Sequence, residues 1–221
     1  MCRYDSVPGD VAGGSGRCGL TWPFASLMPG SADVIVADPP WLFKLRSNVN
    51  LEKSPGKHYG LMTTDDVCKL PVDALAAPES VLLLWTSAPM LPDAFDVAKA
   101  WGFPKYVSRT AWRKTYKSGA QCMGCGYWVR TMHEDVLIFT RGKPRIAKAF
   151  PSLFDGIRRE HSRKPDEFYD LVTARTPNAR CRADLFSRES RVGFVGWGNE
   201  ATKFDGVGQE MLFLDVLQNS C

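Results

Sequence analysis

Three short stretches of this chain are apolar at every position: Val34-Ile35-Val36-Ala37, Val81-Leu82-Leu83-Leu84-Trp85 and Val136-Leu137-Ile138-Phe139. A strand with one face in water alternates apolar and polar residues, whereas a strand covered on both faces is continuously apolar. Segments at helical spacing lie between and after these runs. Residues 91–101, LPDAFDVAKAW, place Pro92 in a first turn, repeat Ala94, Phe95, Ala98 and Trp101 along one side, and stop at Gly102. Residues 164–176, KPDEFYDLVTART, carry Pro165, Asp166 and Glu167 early and turn Phe168, Leu171 and Val172 inward. In TTDDVCKLPVDALA, Thr63 or Thr64 can cap short helices. Further strands are expected at 105–114, Cys181–Phe186 and Arg191–Val195. Residues 42–62 and 115–128 are expected to be long loops, and 150–163 irregular and basic. Buried strands alternating with helices predict an α/β domain of three layers with a largely parallel sheet.

The remaining numbers bound the class. A chain of 221 residues, 44% apolar and 24% charged, is expected to form one domain over 21–221, behind a flexible Gly/Ser-rich lead-in at 1–20. No apolar run approaches the roughly 18 residues of a membrane helix, so no membrane partner is expected. The N-terminus lacks a signal-peptide core, which places the chain in the cytoplasm. Seven cysteines, an odd number, fit free thiols in a reducing compartment. Cys122 and Cys125 form a lone CxxC with no second pair, and no metal site is assigned. Net charge is only +4, but it is concentrated: Lys105 to Arg130 holds six basic residues and no acid, as a polyanion-binding face requires.

The first apolar run ends in Asp38-Pro39-Pro40-Trp41. In open α/β sheets ligands sit beyond the carboxyl ends of the strands, where Asp38 falls. The prolines fix the backbone and present carbonyls without N–H groups. Asp38 adds an anionic acceptor and Trp41 a flat π surface. The matching ligand is planar and donates hydrogen bonds, as the exocyclic amine of a nucleobase does. Accepting the two N–H bonds of an adenine N6 amine, at Asp38 and at the Pro39 carbonyl, localises its lone pair and makes it reactive toward an electrophilic methyl group. Trp41 can stack on the base and face a sulfonium. Such catalysis is positioning and charge stabilisation without a covalent intermediate.

Six blocks in one order carry a family resemblance: ADPPW, HYGLMTTDDV, LLLWTSAPMLPDAFDVAKAWGF, GYWVRTMHEDVLIFTRG, REHSRKPDEFYDLV and ADLFSR with GWGNE. From about Asp33 to Glu200 the chain resembles the MT-A family of S-adenosylmethionine-dependent adenine-N6 methyltransferases, relatives of the catalytic subunit of the mRNA adenosine methyltransferase. The resemblance implies a Rossmann-like methyltransferase three-layer sandwich with permuted motif order. It assigns Asp38, Pro39, Pro40 and Trp41 to catalysis. It assigns Asp38, Lys164, Asp184, Arg188, Asn199 and Glu200 to S-adenosyl-L-methionine, with Lys164 on the cofactor carboxylate and Asn199 and Glu200 on the ribose. Ser190 stands where relatives carry a contact residue. His133, of the family's His-Glu pair, is expected to order the neighbouring loop. Trp85, Trp101 and Trp112 are expected in the core; Trp197 fits the core or the cofactor pocket.

The target atom is hidden in a duplex, so the base must be flipped out or single strands used. The two long loops carry Lys44, Arg46, Lys53, Lys57, Tyr59, Lys114 and Lys117 and are expected to grip phosphate and gate the base. DNA is the expected partner and RNA the alternative, since the chain shows none of the zinc fingers or helical extension of RNA-directed relatives. A non-catalytic nucleic-acid-binding subunit is the competing class; degenerate members lose the acid or the aromatic, and both stand here. Oligomeric state is open, a homodimer among the options. Carbon-5 cytosine methylation needs a Pro-Cys nucleophile, and none occurs; cytosine-N4 chemistry usually has Ser in place of Asp38.

Overall fold

The computed structural model describes residues 22–42, 60–126, 128–160 and 163–206. The elements in chain order are β1 (Ala32–Ala37), α1 (Thr64–Cys68), α2 (Val72–Leu75), β2 (Ala76–Thr86), a 3-10 turn (Ala88–Met90), α3 (Leu91–Ala100), β3 (Lys105–Thr115), β4 (His133–Arg141), β5 (Leu153–Ile157), α4 (Asp166–Arg175), β6 (Arg182–Leu185) and β7 (Val195–Trp197). The seven strands make one sheet in the order β5-β3-β4-β2-β1-β6-β7. β1 pairs parallel with β2 and β6, β6 with β7, and β3 with β5, whereas β4 runs antiparallel to both β2 and β3.

The continuous apolar runs are explained by helices on both faces. Ile35, Ala37, Leu82 and Leu84 pack on one side with Val67, Leu75, Val97 and Ala98 of α1, α2 and α3. Val34, Val36, Val81, Leu83 and Trp85 pack on the other with Phe168, Tyr169 and Val172 of α4. Successive strand residues point to opposite faces, so both need apolar side chains, each contributing about 1.5–3 kcal/mol when fully buried. Thr63 caps α1, its hydroxyl accepting from the Asp66 N–H. Gly102 ends α3 at φ +79°, a left-handed conformation that few other residues adopt readily. Trp85, Trp101 and Trp112 are buried as expected. Trp197 is partly buried, edge-on to Phe24 and Phe186.

Three local expectations are corrected. Residues 150–163 are not wholly irregular, because they contain β5. This edge strand has no apolar alternation to reveal it; of its five residues only Gly156 is buried. It is held by its ladder with β3 and by the Trp112 indole N–H, which donates to Gly156 O at 2.8 Å. The last strand lies at Val195–Trp197 rather than Arg191–Val195. Phe194 N–H closes a turn onto Arg191 O at 3.1 Å, and the Arg191 side chain is drawn inward by Asp166 and Glu189. On α3 Val97 takes the inward position and Phe95 stays partly exposed, edge-on to Phe139 and tilted against Tyr106.

Candidate active site

Because β4 alone is reversed, the end of β1, the ends of β2, β3, β5, β6 and β7, and the start of β4 share one rim of the sheet. Asp38 follows β1 there, with its N–H donating to Leu185 O of β6 at 3.3 Å. Register sets Val36 of β1 opposite Leu83 on one side and Asp184 on the other. Asp38 and Asp184 thus rise from adjacent strands, and both line one cleft with Arg163, Lys164, Tyr169 and Arg188.

Lys164 is the centre of the cleft. Its ammonium lies 3.0 Å from Asp38, 3.1 Å from Glu134 and 4.8 Å from the Trp85 ring centroid. Glu134 in turn pairs with Lys114, whose ammonium sits over Trp112. Four charges of alternating sign, Asp38, Lys164, Glu134 and Lys114, therefore run along the rim from β1 to β3. Burial acts to raise the Glu134 carboxyl, but Lys164 and Lys114 overcome it and hold Glu134 down at about 2. Burial acts to lower Lys164, and Asp38 and Glu134 outweigh it, so its pKa is raised. Burial pushes Asp38 up, Lys164 pulls it back and Glu134 adds to the rise; the result stands above the ordinary carboxylate value.

A second buried group lies beside the first. The Tyr169 hydroxyl of α4 meets Asp184 at 3.3 Å, and the Arg191 guanidinium packs over the Tyr169 ring at 3.7 Å. Burial pushes Asp184 up to about 7 against the pull of Arg191 and the Tyr169 hydrogen bond. Burial and the nearby Asp184 charge likewise push the Tyr169 phenol up. Glu189 also lines the cleft, paired with Arg163 and Arg191.

The structure brings Asp38, Lys164, Asp184 and Arg188 to this cleft. Glu200 lies 3.7 Å from Arg188 and 2.7 Å from Lys203, and Asn199 beside it is exposed. The Pro39 carbonyl already accepts the Trp41 N–H at 2.8 Å, and the Pro40 carbonyl accepts the Met62 N–H at 2.9 Å. Trp41 is only 8% exposed; its indole N–H donates to Trp85 O at 3.3 Å and its ring belongs to the core. Lys114 pairs with Glu134 at the rim, whereas Lys117 is exposed on the turn beyond β3. Lys44, Arg46, Lys53, Lys57 and Tyr59 lie outside the described residues. His133 stands 3.8 Å from Asp135, and Ser190 binds Asp205. Among the described residues no three His, Cys, Asp or Glu side chains cluster to hold a metal ion, and no helix is long and apolar enough to cross a membrane.

Sequence reasoning passed over Glu134, Tyr169, Glu189 and Arg191. For Glu134 there was a signal: a carboxylate placed two residues before the apolar run of a buried strand, in the block HED. Tyr169 resembles any aromatic on the inner side of a helix.

The family model described as MT-A70 matches residues 32–200. The chain belongs to the MT-A70 family. Methyltransferases of the MT-A70 family act on the N6 amine of adenine and depend on S-adenosylmethionine. The chain is 27% identical over 195 residues to the type II methyltransferase M.MunI of Mycoplasma sp, covering 80% of this chain and 81% of that one. It is 25% identical over 197 residues to the N(6)-adenosine-methyltransferase catalytic subunit METTL3 of Homo sapiens, covering 86% of this chain but 31% of the human one. It is 27% identical over 185 residues to the N6-methyladenosine RNA methyltransferase MTA1 of Pyricularia oryzae, covering 78% and 47%. The cleft is lined by the cations Arg163, Lys164, Arg188 and Arg191 and by the carboxyl groups of Asp38, Asp184 and Glu189, a set of both signs that fits a zwitterionic ligand.

Proposed function

We propose that this chain transfers a methyl group to the N6 amine of adenine in DNA, by direct transfer and without a covalent intermediate. The reading is carried by the Asp38–Lys164–Glu134 cluster at the cleft beyond β1. S-adenosylmethionine, when bound, supplies an electrophilic methyl group on a sulfonium. The residues to hold it are Lys164, Asp184, Arg188, Asn199 and Glu200. Lys164 uses two of its three N–H donors on Asp38 and Glu134 and has a third for the cofactor carboxylate. Asp38 accepts one N–H of the target amine. The second lone pair of the Pro39 carbonyl, beside the one that binds Trp41 N–H, accepts the other. Neither proline can donate to the amine, so its lone pair stays directed away from them. Burial raises the Asp38 carboxyl above its ordinary value against the pull of Lys164, and a raised carboxyl suits a group that takes the proton the amine loses. The catalytic acid early in the chain and Asn199-Glu200 late are consistent with a permuted methyltransferase order.

DNA is favoured by the overlap with the type II methyltransferase M.MunI over about four fifths of both chains. RNA is the second reading, favoured by relatives named as RNA or adenosine methyltransferases over the same region. Matched DNA and RNA oligonucleotides with labelled cofactor test the choice. Faster transfer to DNA is expected; equal or greater transfer to RNA overturns it.

A further inference from the structure

β6 and β7 are adjacent parallel strands, and the segments that leave them at the Asp38 rim lie against each other. Residues 186–190 follow β6 and bring Phe186, Ser187, Arg188 and Glu189 to the cleft. Residues 198–206 follow β7 and carry Asn199 and Glu200. The two segments meet closely where they start. The Ser187 N–H donates to Trp197 O at 3.0 Å, and a Cβ on Gly198 would stand 3.0 Å from the Phe186 Cα. Phe186 itself is left-handed at φ +63°, a conformation that a residue with a side chain keeps only where its surroundings impose it.

The segment after β7 has neither strand nor helix to fix it. It is a run of tight turns, closed by the Ala201 N–H on Gly198 O at 3.3 Å, the Lys203 N–H on Glu200 O at 3.0 Å and the Asp205 N–H on Thr202 O at 3.2 Å. Such bonds set local shape and leave position open. Position comes from ties at the far end. The Phe204 N–H donates to Arg188 O at 3.1 Å, and the Arg163 guanidinium lies over the Phe204 ring at 4.9 Å. The Asp205 carboxylate accepts twice from one residue: from the Ser190 N–H at 2.6 Å and from the Ser190 hydroxyl at 2.7 Å. These two bonds hold its carboxyl below the usual carboxylate range, as charge-assisted bonds do.

Glu200 is what this placement secures. Its Oε1 pairs with Lys203 at 2.7 Å. Its Oε2 is buried, stands 3.7 Å from Arg188 Nε, and accepts no hydrogen bond from any described residue. A buried carboxylate oxygen without a donor is costly, and a ligand hydroxyl is a donor of the right kind.

We propose that Asp205 is a positioning residue for the cofactor. Through Ser190 it clamps the turns after β7 onto the exit of β6, and so holds Glu200 Oε2 ready for a ribose hydroxyl beside Arg188. The proposal rests on the reading of the cleft as the site of S-adenosylmethionine. Asp205 itself is exposed and acts only through these turns.

The test measures binding of S-adenosylhomocysteine and of its 2′,3′-dideoxy form to the full chain by calorimetry. Wild-type protein should prefer the ligand that has its hydroxyls. Asp205→Ala is expected to weaken S-adenosylhomocysteine roughly 5- to 30-fold, as losing hydrogen bonds to an exposed charged group does. Its affinity for the dideoxy form should match that of the wild type. A merely structural loss would instead weaken both ligands alike and lower the urea midpoint. Ser190→Ala keeps the backbone bond to Asp205 and should lose less. The double variant should lose no more than Asp205→Ala. In methyl transfer, Asp205→Ala should raise KM for S-adenosylmethionine while kcat stays within about twofold. Equal losses for the two ligands, additive losses in the double variant, or a wild type indifferent to the hydroxyls overturns the proposal. Wild-type protein that binds S-adenosylhomocysteine while Asp205→Ala binds it equally well overturns this proposal alone. Wild-type protein that binds none of it overturns the reading of the cleft, and the proposal with it.

Discussion

The ammonium of Lys164, just before α4, stands 3.0 Å from the carboxylate of Asp38, just after β1. The contact joins the acid that would accept the target amine to the cation that would hold the cofactor. Glu134 keeps the pair from closing on itself, since at 3.1 Å it shares the same ammonium. Asp38 is thus neutralised in part and remains an acceptor, a balance that either partner alone would not give.

Replacing Asp38 with Ala should lower methyl transfer by about a hundredfold or more, as removal of a preorganised polar contact to the reacting group does. Cofactor affinity, followed by calorimetry, should change only a few-fold, because Lys164 keeps Glu134 as its partner. Turnover like that of the wild type would remove Asp38 from the mechanism.

Glu134→Gln tests the positioning of Lys164. Glu134 is held at about 2, below its ordinary value, so the ionised form stabilises the fold. That contribution is fully present above about pH 4.5 and is lost as pH falls toward 2. Urea titrations at pH 7 should show a loss on the order of 3 kcal/mol in the variant, as expected for one partner of a buried pair. The gap between variant and wild type should narrow below pH 4.5; a gap independent of pH would contradict this account.

Asp184 carries the opposite sign. Its folded pKa of about 7 lies above its ordinary value, so between about pH 4 and 7 the folded state binds more protons than the unfolded one. Stability should therefore fall as pH rises through that window, by up to about 4 kcal/mol from this group. Asp184→Asn should flatten the slope there, measured by denaturant midpoints at successive pH values. An unaltered slope would show that Asp184 titrates normally.

Trp41→Ala should cost about 3–5 kcal/mol of stability, the usual range for a large aromatic removed from a core. Trp41→Phe should cost less while losing the bond to Trp85 O. A stable Trp41→Ala protein with impaired turnover alone would instead make the ring a substrate contact and little else.

Much of this architecture was legible before any coordinates. The continuous runs at β1, β2 and β4 announced strands covered on both faces, and the Thr63 cap, Pro92 and Gly102 marked helix ends. These signals are local: each depends on side chains within a few residues of one another. The acid after β1 was likewise readable, because an apolar strand that stops at Asp-Pro-Pro-Trp leaves an acceptor at a strand end.

Long-range pairing was not readable in the same way. β5 escaped notice because an edge strand held by its neighbour's hydrogen bonds needs no apolar period of its own. The reversal of β4 is invisible in its composition, yet it is what delivers Glu134 to the rim beside Asp38. Trp41 looked like an open stacking surface and proved to be core. Local periodicity records how a residue meets its neighbours along the chain; which charges meet across the sheet is decided by strand order and direction, set when the whole core closes.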